Sequence, residues 1–150
     1  MSEFRATVQI AAPADLIWTV VRDVERWAEW TPSIRDITLL DGAPLRLGSR
    51  ARIRQPKLPT NVMTVTVLEE GRGFTWESKS PGLRATADHW ITDAPQGCQV
   101  TLAVRFEGWL APLVAWLAGG LTRQYISWEA AGLKRRCEEW RRTGKGDTIS

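Results

Sequence analysis

The sequence predicts one α+β domain: a curved antiparallel sheet of about seven strands around a long C-terminal helix, with two short helices after the first strand. Three observations carry this. Apolar residues alternate with period two between Ser33 and Gly108. From Leu110 to Trp140 they recur every three or four residues instead. The length, 150 residues, suits one domain and suffices to bury a core without staples.

Each element has its own signal. Phe4, Ala6, Val8 and Ile10 alternate with Arg5, Thr7 and Gln9, which is a half-buried strand. Pro13 suits a first helical turn, and Leu16, Ile17, Val20 and Val21 follow at helical spacing. A second short helix is expected over Val24 to Trp30, ended by Pro32, because the residue before a proline avoids helical angles. Ile34 to Leu40, Arg50 to Arg54, Asn61 to Leu68, Phe74 to Ser78, Ala85 to Ile91 and Cys98 to Phe106 read as strands. Turn signals such as Asp41-Gly42, Glu70-Gly71-Arg72-Gly73 and Pro81-Gly82 separate several of them. The final helix spans about 110 to 141. Gly119-Gly120 is its weak point, where it bends or where small residues admit another segment. Gly144 to Ser150 is expected to fray.

The composition excludes several classes. No apolar run approaches the ~18–20 residues of a membrane span. The start MSEFRATVQI lacks the pattern of a secretory signal, so a cytoplasmic protein is expected. A net charge of +3 with dispersed arginines does not support nucleic-acid binding. Cys98 and Cys137 make no ligand-type pair, and a lone histidine rules out a histidine metal triad within one chain. No metal site, no phosphate loop and no cofactor motif is found. Tryptophan is the outlier, with nine copies. Its rigid apolar rings suit cores and pocket walls.

The segment AAPADLIWTVVRDVERWAEWTP at 11–32, the strand GSRARIRQP, the hairpin GFTWESKSPGLRATADHWI and the closing helix together resemble the START-like or Bet v 1-like (SRPBCC) superfamily, in particular its polyketide cyclase/dehydrase branch. The resemblance implies a helix-grip fold with a deep apolar cavity. It also implies a function in that cavity: carriage of a small hydrophobic molecule, lipid or aromatic and polyketide-like. Polyketide cyclisation or dehydration is the alternative, and a third reading is an interaction module whose pocket is filled. It assigns no catalytic residue.

The candidate site follows from strand parity. His89 shares a face with Ala85, Ala87 and Ile91, and is either a pocket group or a core histidine satisfied by a backbone carbonyl. Trp76 and Ser78 lie on the same face as Phe74, as a flat wall and a polar handle. Trp27 belongs to the short helices, which in the family border the cavity mouth. Tyr125 is on the helix stripe and needs a partner for its hydroxyl if buried, which a ligand or His89 could supply. An enclosed cavity of roughly 300–1,000 Å³ is expected, lined by Trp76, His89, Ile91, Leu102, Val104, Leu117 and Tyr125. An enzyme would use His89 as acid or base, with Tyr125 or Ser78 orienting the substrate. Arg50, Arg52 and Arg54 read as a solvated outer face. Homodimerisation is compatible with the sequence.

Overall fold

The computed structural model describes residues 2–144. Its seven strands are β1 (Ser2–Ile10), β2 (Asp36–Leu39), β3 (Arg50–Arg54), β4 (Asn61–Glu69), β5 (Gly73–Ser80), β6 (Leu83–Ala94) and β7 (Gly97–Glu107). The order across the sheet is β1-β7-β6-β5-β4-β3-β2, antiparallel at every step. A meander runs from β2 to β7, and β1 closes onto β7. α1 (Ala14–Arg22) and a 3₁₀ helix (Val24–Glu29) follow β1, and α2 (Ala111–Thr143) ends the fold. The helix-grip expectation holds, and the second short helix takes the tighter 3₁₀ form.

Register sorts the side chains facing α2 into rows. One row is Phe4, Val104, Ala87, Trp76 and Val65; the next is Ala6, Leu102, His89, Phe74 and Leu68. A β-bulge between Val65 and Val67 keeps the β4 residues in line. The core divides into two clusters along α2. The larger joins α1, the 3₁₀ helix, the sheet and the later turns of α2 through Trp27, Trp30, Leu133, Cys137 and Trp140. The smaller packs Phe4 and Phe106 against Ala111 and Ile126. Arg50 and Arg54 stand exposed on the outer face, paired with Asp41 and Asp36. No helix among the described residues is long and apolar enough to cross a membrane.

Candidate functional site

At the deep end of the grip, four rings pack around one point. The His89 imidazole stacks on Phe74 with centroids 4.4 Å apart. Trp27 lies 5.2 Å from it and Trp76 5.6 Å, both edge-on. Trp27 is anchored by its indole N–H, which donates to the Val21 carbonyl at 3.0 Å. All four side chains are buried. The space in which an enclosed cavity was expected is therefore occupied by aromatic side chains. The clefts of about 20 and 200 Å³ lie elsewhere, between the 3₁₀ helix and the end of α2 around Arg26, Trp30, Arg136 and Trp140.

Burial sets the state of His89. It pushes the imidazole pKa down to about 4, against the opposing pull of the Phe74 carbonyl and Asp88. The ring is neutral at pH 7. Nδ1 lies 3.3 Å from the Phe74 carbonyl, which can only accept, so Nδ1 carries the proton. Nε2 is then an acceptor. No fully buried side-chain nitrogen or oxygen among the described residues lacks a partner. Nε2 has no protein partner, so it keeps a small opening to solvent. A base with a pKa near 4 is poorly matched to proton transfer at neutral pH.

The wider end of the grip is different. Ala85, Ala87, Ser78 and Val104 point toward α2, yet are only half-buried. Ala87 marks the boundary, lying between Trp76 and Val104 in its row. On α2, Leu113 and Leu117 are exposed, while Leu121 is half-covered. This end of the grip's hollow is half-open to solvent, and Ala85 and Val104 still pack against Phe4, Phe106, Ala111 and Ile126.

The candidate residues thus fall in different places. Trp27, Trp76 and His89 come together in the buried cage. Leu102 adjoins His89 in its row, and Ile91 is buried one row further toward α1. Val104 and Ser78 line the open end, where Asn61 Nδ2 donates to Ser78 Oγ at 3.2 Å. Tyr125 is buried and donates to the Pro56 carbonyl in the β3–β4 link, so neither His89 nor a ligand is needed to satisfy it. Leu117 is corrected. It is 69 % exposed, because the first turns of α2 seat their other side, at Ala111, Ala115 and Gly119, on the cluster of Phe4 and Phe106.

A polar cluster beside this hollow has no counterpart among the sequence-derived candidates. Ser33 Oγ donates to Glu129 Oε2 at 3.0 Å and meets Thr31 Oγ1 at 2.8 Å. Gln55 Nε2 donates to the Ser33 carbonyl at 3.3 Å. Burial pushes the Glu129 carboxyl up to about 7, opposed by the Ser33 hydroxyl. With the Tyr125–Pro56 bond, this cluster ties α2 to the β3–β4 link. Ser33 and Glu129 are 96 residues apart, so only the tertiary fold brings them together.

Comparison with known proteins fits this geometry. The chain belongs to the family described as polyketide cyclase / dehydrase and lipid transport, which it matches over residues 1–138. Among solved structures it is similar to the ZhuI aromatase/cyclase from a Streptomyces species, at 16% identity and TM-score 0.77, covering 95% of this chain and 97% of that one. It is also similar to TTHA0849 from Thermus thermophilus, at 16% identity and TM-score 0.73, covering 91% and 97%. A START superfamily protein from Mycobacterium smegmatis shares 22% identity at TM-score 0.66, again covering 91% and 97%. At these identities the likeness establishes the fold. No curated protein matches the chain.

Proposed function

We propose that the protein binds a small hydrophobic molecule in the half-open hollow between the sheet and the first turns of α2. One observation carries this: Ser78, Ala85, Ala87 and Val104 face the helix but remain half-open. Apolar walls with a few polar groups are what such ligands need. Ser78 Oγ supplies one polar contact. Family membership supports a lipid or an aromatic, polyketide-like molecule. Binding without turnover is favoured over cyclase chemistry, because His89 is neutral, weakly basic and enclosed by rings.

The test uses an environment-sensitive apolar probe, together with native mass spectrometry of gently purified protein. Ala85→Trp fills the half-open end from a position whose register partners are Ser78 and Phe106 rather than the caged rings. It should weaken probe binding by at least about tenfold while the melting temperature stays close to the parent's. If the parent retains no small molecule and takes up no probe, the aromatic filling of the deep end favours the interaction-module reading instead.

A further inference from the structure

We propose that the first half of β1, with the side of α2 that overhangs it, is the contact through which two copies of this chain join their sheets edge to edge. β1 ends the strand order and, among the described residues, pairs only with β7. An unpaired strand edge invites another strand, and folded proteins blunt such edges. The opposite edge is blunted: β2 has four residues, and the Leu39 N–H donates to Glu25 Oε2 at 3.0 Å. The second half of β1 is blunted by α2. Lys134 Nζ donates to the Gln9 carbonyl at 2.8 Å, Arg141 donates to the Ala11 carbonyl at 3.0 Å, and the Ala11 N–H donates to Glu138 Oε2 at 2.9 Å.

The first half of β1 has no such cover. Backbone groups point alternately to the two sides of a strand. The Gln9 carbonyl points outward to Lys134, and the Ile10 carbonyl points at Gly97 of β7. The N–H and C=O groups of Glu3, Arg5 and Thr7 therefore also point outward, and no described residue bonds them.

Charge selects a second copy and its register. An antiparallel pair with a two-fold axis at Phe4 sets Glu3 opposite Arg5 of the partner subunit, and Arg5 opposite Glu3 of the partner subunit. Each such pair exchanges its outward N–H and C=O groups. An axis at Glu3 or Arg5 would oppose like charges, and one at Ala6 would need the Gln9 carbonyl that Lys134 occupies. Within one chain Arg5 already meets Glu3 at 3.1 Å, so pairing builds a ring of four alternating charges.

The helix adds apolar cover. Gly119 sits on the Phe4 ring and Lys134 at Gln9, so α2 runs along β1 in the same direction. Trp116 stands five turns of 3.6 residues before Lys134 and so lies on the overhanging side. It is 79 % exposed. Arg123, on that side too, lies over the Phe4 ring at 4.8 Å. About the Phe4 axis the two helices pass antiparallel beside Gly120, where a Cβ would meet nothing within 4 Å. Trp116 then comes against Arg123 of the partner subunit, a cation–π pairing.

Edge pairing does not depend on ligand binding. Sedimentation velocity of the full chain, from about 5 µM to about 0.5 mM, should show a monomer–dimer equilibrium. Glu3→Arg and Arg5→Glu should each weaken it by at least roughly tenfold, because each turns two attractive pairs repulsive. An equal mixture of the two variants should dimerise again, because the mixed pair opposes unlike charges at both positions. Trp116→Ala should weaken the parent dimer by roughly tenfold, and Arg52→Ala on β3 should leave it unchanged. These are surface positions, so melting curves at the lowest concentration and probe uptake should match the parent's. A parent that stays monomeric over the whole range overturns the proposal and leaves the edge to another occupant. A dimer that the charge reversals leave intact, or variants that fail to pair when mixed, also overturns it.

Discussion

His89 and Glu129 pull stability in opposite directions as pH changes. The folded His89 has a pKa near 4, below its ordinary 6.5, so the unfolded chain binds the extra proton. Its contribution is complete above pH 6.5 and is lost as pH falls toward 4. Glu129 is raised to about 7 from 4.5, so the folded state holds the extra proton. Its contribution is complete below pH 4.5 and is lost as pH rises through 7. Each swing is at most about 3 kcal/mol, and between pH 4.5 and 6.5 the two oppose. Melting curves across this range separate them. Relative to the parent, His89→Gln should gain a downward slope with rising pH, and Glu129→Gln an upward one. Parallel profiles for all three proteins would remove both assignments. Alternation made the inward direction of His89 legible in the sequence. Its stacking on Phe74 depends on the β5–β6 register, which no local pattern states.

α2 shows how the same residue type does different work along one element. The sequence marked Gly119-Gly120 as a bend or a close approach, and the structure supports the approach at Gly119 alone. A Cβ on Gly119 would lie 3.2 Å from the Phe4 ring, whereas one on Gly120 would meet nothing within 4 Å. Gly120→Ala should therefore stabilise the protein by about 0.5–1 kcal/mol, since it removes backbone freedom from the unfolded chain. Gly119→Ala should show little or none of that gain. Gly132 drew no attention in the sequence and is the most constrained of the three. A Cβ there would fall 1.9 Å from the Trp30 carbonyl oxygen, part of the backbone rather than a movable side-chain tip. Gly132→Ala should cost at least about 2–3 kcal/mol by forcing the 3₁₀ segment away from α2. Chemical denaturation of the three variants gives the ranking, and a harmless Gly132→Ala would sink it. The helix itself was legible from its apolar stripe. Its constraint at Gly132 was not, because the partner lies about a hundred residues earlier in the chain.

Across the whole molecule, the grip divides its concave face between core and hollow. The resemblance to ligand-holding proteins led to the expectation of one enclosed cavity, and parity turned Trp76 and His89 toward the concave face, where both are buried. Parity does not give depth. It could not show that Trp27 reaches across from the 3₁₀ helix to within 5.6 Å of Trp76, closing the deep end. If the rings fill a space the fold would otherwise leave empty, removing one should restore it. Trp76→Ala should destabilise the protein by ~3–5 kcal/mol, from lost transfer energy and the cavity left behind. A domain of this size has ~5–15 kcal/mol in total, so the fold should persist. Trp76→Leu is the milder companion. The new cavity is lined mainly by Trp27, Phe74 and Ala87 and should accept a benzene-sized probe. At about a hundred times its dissociation constant, the probe would return ~2.7 kcal/mol by mass action. Melting temperature against probe concentration is the measurement. The variants should rise while the parent stays flat. An equal rise in the parent would mean that its deep end already admits a ligand, and that the division between core and hollow falls elsewhere on the sheet.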